Sequence, residues 1–285
     1  MLPFEIWVII LKNLSVYEEG IVAQVCIDWA DILRKQRLLR GDNRWKTSIE
    51  KVVVSVKLLM WAREYGCPGD AWCTHAAAKG HVESLQWAHE NGFLWDPLLT
   101  VNMAVRNGHL NCLKYLHEQG CLLDWLTCMH AALGGKLDCL IYLHEHGCKW
   151  GTMTPASAAS NGHIDCLKYA HEHGCKWTSW TCCSAAKKDN LECLKYAHEN
   201  GCEWDVEVTS IAARENSLKC LAYAHENGCP WTSRLCMLAA INGNLDCLRY
   251  AHENGCPWDE DTTTGARLHE KYECLQYAID HGCPE

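Results

Sequence analysis

The sequence predicts an all-α protein: a three-helix N-terminal segment followed by a solenoid of short helix–turn–helix repeats. Three observations predict it. The phrase Y-A-H-E-N-G-C-x-W returns along the chain, with its glycine at Gly66, Gly92, Gly120, Gly147, Gly174, Gly201, Gly228, Gly255 and Gly282. The steps are 26, 28 and then 27 six times, a period at which each unit buries its apolar face only against its neighbours. Each unit also carries two short helical patterns separated by glycine. Finally, hydrophobic residues make up 48% of the 285, yet no run approaches the roughly 18 apolar residues that a membrane span needs.

The first element is the segment L-P-F-E-I-W-V-I-I-L-K-N-L-S-V-Y-E-E-G-I-V-A-Q-V-C-I-D-W-A-D-I-L, residues 2–33. It has no basic start, contains Glu5 and lacks a small-residue cleavage site, so it is not read as a secretory leader. It is an apolar three-helix unit too short to bury its own surface. Leu2, Pro3, Ile6, Ile10 and Leu14 would face solvent unless a partner covered them. The ordered set Leu2, Pro3, Glu5, Ile6, Ile10, Leu11, Leu14, Glu18, Val25, Cys26 and Trp29 resembles an F-box. The resemblance implies that Leu2, Pro3, Ile6, Ile10 and Leu14 dock on the Skp-type adaptor of a cullin–RING ubiquitin ligase. The competing reading is an end cap for the solenoid, which terminal units require. The expected division is an F-box-like domain over 1–40, a linker and half repeat over 41–66, and a repeat solenoid of about eight units over 67–285.

The linker holds the only basic cluster, Arg34 to Lys46, read as the solvated face of a joining helix with Leu38, Leu39 and Trp45. Formal net charge is −9, and residues 51–285 carry 28 acidic against 19 basic groups. That balance argues against binding a phosphate backbone, so a nucleic-acid partner is not expected.

The repeats come next. In the unit ending at Gly255, Thr232 or Ser233 is expected to cap the first helix, as Asp96, Thr178 and Asp205 do elsewhere; Pro97 takes the favoured first position after Asp96. Ala239-Ala240 and Gly243 close a first helix of about ten residues. The second begins near Leu245, with Leu248 and His252 on the same stripe. The marker glycine then provides a left-handed cap. The phrase from Ala158-Ala159 to Gly174 resembles the ankyrin repeat, whose units run about 33 residues. The shortfall of about six residues lies between the marker glycine and the next Ala-Ala, so the finger hairpin is expected to shrink to a C-x-W turn. No L-x-x-L-x-L phrase of leucine-rich repeats occurs.

The chain has 21 cysteines and 16 histidines, which invites a metal-binding reading. Register removes it. Eight cysteines follow the marker glycine, where the unit of Gly92 has Phe93; seven lie eight residues before it, where the first two units have Leu58 and Ser84. A position that accepts Phe, Leu or Ser is a packing position. Cys247 and His252 would project about 140° apart on one helix, and stacked units place equivalent atoms about 10 Å apart, whereas Zn–S bonds are about 2.3 Å. The thiols are therefore read as reduced core residues, in a cytoplasmic or nuclear compartment. His89, His117, His144, His171, His198, His225 and His252 form a ladder of hydrogen-bonded imidazoles. Trp95, Trp150, Trp177, Trp204, Trp231 and Trp258 cover the unit junctions.

No catalytic constellation remains once the repeats are set aside, so no enzyme activity, cofactor or metal is expected. The two resemblances together imply a ligase substrate receptor similar to F-box/ankyrin proteins of large DNA viruses infecting protists. The alternative is an ankyrin-type scaffold that sequesters a host or cellular protein without ligase activity. Recognition should lie where units differ, in the first helices and turns, with Trp180, Lys187, Lys188, Arg214, Arg234 and Arg267 as candidates.

Overall fold

The computed structural model describes residues 53–64, 69 and 71–285. Leu2, Pro3, Ile6, Ile10, Leu14, the basic stretch Arg34 to Lys46, and Gly66 with Cys67 lie outside the described residues. Among the described residues there are 17 helices and no strand, and no helix is long and apolar enough to cross a membrane. The chain divides into two compact units, one reaching Thr100 and one from Val101 to Glu285.

In the first unit, α1 (Val56–Glu64), α2 (Trp72–Lys79) and α3 (Val82–Glu90) surround an aromatic cluster. Trp72 is fully buried, its ring centroid 4.5 Å from that of Phe93 and 6.5 Å from that of Trp87. A β-carbon at Gly69 would run into the Phe93 ring, so the chain can pass there only with glycine. Phe93, standing where other units have cysteine, belongs to this cluster, and the buried Cys73 thiol donates to its carbonyl over 3.4 Å.

Helix α4 (Pro97–Asn107) leads into the second unit. There the first helices are α6 (Trp125–Leu133), α8 (Met153–Ser160), α10 (Ser179–Ala186), α12 (Val206–Arg214), α14 (Ser233–Asn242) and α16 (Glu260–Leu268). The second helices are α5 (Leu110–Glu118), α7 (Leu137–Glu145), α9 (Ile164–Glu172), α11 (Leu191–Glu199), α13 (Leu218–Glu226), α15 (Leu245–Glu253) and α17 (Tyr272–Asp280). Each first helix packs on the next first helix and on its own second helix, and the second helices form a parallel row. The Ala pairs 131–132, 158–159, 185–186, 212–213 and 239–240 are fully buried, and their small size lets the first helices pack closely. Leu113, Leu140, Leu167, Leu194, Leu221 and Leu248 fill the space beneath, each removing apolar surface worth roughly 1.5–3 kcal/mol.

The marker glycines from Gly92 to Gly282 have φ between +76° and +84°. A β-carbon there meets nothing within 4 Å, so backbone conformation alone demands glycine. At Gly201 the Gly N–H bonds to the His198 carbonyl and the Cys202 N–H to the Ala197 carbonyl, the paired bonds of a Schellman cap. The end of the first helix has a second left-handed position. It is glycine at 80, 108, 135, 162 and 243, but Asp189, Asn216 and Glu270 in the other units (φ 54°, 59° and 57°).

The helix starts differ in part from expectation. The Asp96, Asp124, Asp205 and Asp259 side chains accept from backbone N–H groups in the first turn. Thr178 and Thr232 adopt the extended cap conformation but make no side-chain cap bond, and Ser233 is already helical. The carboxylates, not the threonine hydroxyls, bond the first-turn N–H groups.

Candidate protein-binding surface

The side chains of the repeat phrase are consumed by the framework. From His117 to His252 each ladder histidine uses Nδ1 to bond the tyrosine hydroxyl 25 residues on, in the next unit. The distances are 2.9 Å for His117–Tyr142 and His144–Tyr169, 3.0 Å for His171–Tyr196, 3.1 Å for His198–Tyr223 and His225–Tyr250, and 2.9 Å for His252–Tyr277. The same imidazole stacks on the tryptophan six residues later: 3.7 Å between centroids at an interplanar angle of 13° for His198–Trp204, and 4.0 Å at 11° for His252–Trp258. The tryptophan in turn meets the tyrosine edge-on, as in Trp177–Tyr196. Leu123 replaces tryptophan after His117; His146 packs edge-on against that imidazole, as His173 does on His144 and His281 on His252 where the tryptophan is present. The His and Trp ladders are thus one interlocked seam between units. Lys114, Lys168, Lys195 and Arg249 lie over tyrosine rings on its outer side.

The cysteines are equally occupied. All 19 among the described residues are free thiols and buried. From Cys148 onward the cysteine after each marker glycine donates to the carbonyl 24 residues earlier, at the start of its own unit: Cys148 to Asp124 over 3.0 Å, Cys202 to Thr178 and Cys229 to Asp205 over 3.2 Å, Cys283 to Asp259 over 3.3 Å. The Cys128 thiol sits 2.9 Å from the Cys148 sulfur; donating to it, together with burial, pushes the Cys128 pKa far up. Burial holds Cys112 and Cys166 up to about 12, and Cys139, Cys175 and Cys193 up to about 11. Among the described residues no group of three His, Cys, Asp or Glu side chains is placed to hold a metal ion.

The exposed positions that vary between units include the outer side of the first helices and the turns before them. Trp180 is 51% exposed in the first turn of α10, and Lys187 and Lys188 are exposed at the other end of that helix. The Lys188 ammonium donates to the Asn161 side chain over 2.8 Å. The three arginines already face carboxylates: Arg234 to Glu207 at 2.7 Å, Arg214 to Glu215 at 3.1 Å and Arg267 to Glu285 at 3.8 Å. The expectation from sequence passed over Trp125, 51% exposed, and Met153, 41% exposed, in the first turns of α6 and α8. Met153 stands 27 residues before Trp180, so a position-by-position comparison of the units would have found it. His130, also on α6, has its pKa lowered, first by burial and then by the nearby Arg106.

A family model described as ankyrin repeats (3 copies) matches residues 101–179, and one described as ankyrin repeats (many copies) matches residues 73–117. No curated protein matches the chain. Among solved structures, the chain is similar to the human ASB11 ankyrin repeat domain in its crystal structure: 17% identity, 65% of this chain and 84% of that chain covered, TM-score 0.41. Ankyrin repeats imply protein–protein interaction, and the buried, internally bonded framework leaves only its outer surface for that purpose. Residues 73–179 are thus ankyrin repeats, and the same 27-residue unit continues to Gly282.

Proposed function

We propose that the chain is a binding adaptor in which the ankyrin repeats hold a target protein and residues 1–40 bring it to a Skp-type ubiquitin-ligase adaptor. One observation carries the binding half: the repeated His, Tyr, Trp and Cys side chains bond to one another across and within units, so the surface open to partners is the part that varies between units. The ligase half rests on the ordered motif of Leu2, Pro3, Ile6, Ile10 and Leu14, whose resemblance to an F-box makes these residues the adaptor contacts. The buried free thiols suit a reducing compartment, cytoplasm or nucleus. The likeness to F-box/ankyrin proteins of large DNA viruses makes the target a host protein in this reading.

The test is capture by the full chain, read by mass spectrometry, against a Leu2→Ala, Pro3→Ala variant. The adaptor and its cullin should co-purify with the parent and be lost from the variant, because truncating central anchors costs about 2 kcal/mol or more each. Capture of a target with no adaptor from the parent chain would favour the sequestering scaffold instead.

A further inference from the structure

We propose that the outer side of α6, α8 and α10 binds an acidic segment of a partner protein that carries an aromatic or aliphatic anchor. This rests on the binding half of the proposed function and specifies its ligand. Trp125, Met153 and Trp180 project from the first turns of three successive first helices that pack side by side. Helices in contact lie 8–10 Å apart, so Met153 and Trp180, at equivalent positions 27 residues apart, stand side by side. Trp125, one position earlier in its unit and so about 100° round its helix, extends the apolar surface to roughly 20 Å. Isolated exposed apolar residues are ordinary, but a row of large ones on consecutive elements marks a surface that another molecule covers.

Charge selects the occupant. Residues 148–164 and 175–188, which hold α8, α10 and the turns leading into them, contain four lysines (Lys149, Lys176, Lys187 and Lys188) and no acidic residue, in a chain of net charge −9. Lys187 lies seven positions after Trp180, at the other end of α10, and both are exposed. The next unit reverses the sign, with Glu203, Asp205, Glu207 and Glu215 in the equivalent stretch. An acidic peptide is therefore attracted along α8 and α10 and repelled by the unit that follows α10, which stops it there and fixes its register. A nucleic acid fits less well: its unbroken line of phosphates would meet those carboxylates.

The experiment is selection of random displayed peptides of about twelve residues, long enough to span the row when extended, against the full chain. The selected pool should be enriched in Asp and Glu around an aromatic or aliphatic residue. Binding of a selected peptide should weaken about 30-fold on Trp180→Ser, the share of a hot-spot residue. It should also weaken on Lys187→Glu with Lys188→Glu, and as salt rises from about 0.05 to 0.5 M. All these side chains are exposed, and an unchanged far-UV spectrum checks the fold of each variant. Three outcomes overturn the inference: no enrichment, enrichment of neutral or basic peptides, or acidic peptides whose binding survives both sets of substitutions. Binding of an oligothymidylate at the same site, competing with the peptides at equal affinity, also overturns it. A chain that captures the ligase adaptor but selects no acidic peptide loses this inference and keeps the ligase reading. The converse result does the opposite.

Discussion

The Nδ1 of His171 lies 3.0 Å from the hydroxyl of Tyr196 in the following unit, while the same imidazole stacks at 3.9 Å on Trp177 of the turn between them. One side chain therefore contributes both an inter-unit hydrogen bond and the ring that the turn folds onto.

Tyr196→Phe keeps the ring contacts and removes only the hydroxyl. It should cost about 0.5–1.5 kcal/mol, the net value of one hydrogen bond. Hydrogen exchange should show the loss concentrated in the units on either side, because repeats couple to nearest neighbours. Uniform loosening along the repeats would count against the seam as the coupling element.

Thr181 is fully buried and its hydroxyl has no partner, while the equivalent position holds Val208 and Leu235 further on. Thr181→Val preserves shape and β-branching and removes an unsatisfied polar group. Urea unfolding should show a gain of about 1 kcal/mol. A loss would mean that the hydroxyl bonds to something ordered in solution.

Two backbone substitutions should move stability in opposite directions. Gly201, at φ +82° with open space around it, should lose more than about 1 kcal/mol as Gly201→Val, all of it conformational. Glu270, exposed at φ 57° where other units have glycine, should gain about 0.5–1 kcal/mol as Glu270→Gly. The pair of urea midpoints checks both.

The buried thiols should resist alkylation. With Cys112 and Cys166 held up to about 12 by burial, native protein at neutral pH should take up iodoacetamide at these sites only through unfolding. Mass mapping that finds either site labelled as fast as a free peptide thiol would contradict the packing.

Acid should weaken the second unit through His130 and His252. Burial lowers both, aided by Arg106 at the first and by His281 at the second. A histidine whose folded pKa lies below its unfolded value binds more protons unfolded. Its contribution is therefore fully present above the unfolded pKa, near 6.5, and is lost as pH falls through the folded one. The urea midpoint should drop between about pH 7.5 and 5.5, and His130→Asn should flatten that drop in part. An unchanged profile in the variant would remove His130 from the account.

Much of this architecture was legible because it repeats. The marker glycines, the Ala pairs and the helix starts at Leu191, Leu218 and Leu245 follow from period and cap chemistry. Sequence could not supply the partners. The histidine spacing is visible, but that each imidazole reaches a tyrosine 25 positions on depends on how neighbouring helices are offset. Likewise, Asp189 looks like an ordinary loop residue, yet its carboxylate accepts the Cys220 N–H of the next second helix at 2.9 Å. The surface was harder still. Arg214, Arg234 and Arg267 differ between units, as a recognition site would, but Arg214 faces the neighbouring Glu215, and Arg234 and Arg267 face carboxylates that only the fold brings near. Trp125 and Met153 drew no notice because an apolar residue in a helix reads as core until its face is known.

The cysteine thiol closes a unit over 24 residues and the histidine opens it to the next over 25, inside a repeat of 27. Every bond is thus written relative to the repeat, never to an absolute position. Excising residues 175–201 would set His171 25 places from Tyr223 and six from Trp204, the spacings it now has to Tyr196 and Trp177. Length in this protein is a copy number: a recombination event in register can add or remove binding surface and inherit a finished seam on both sides.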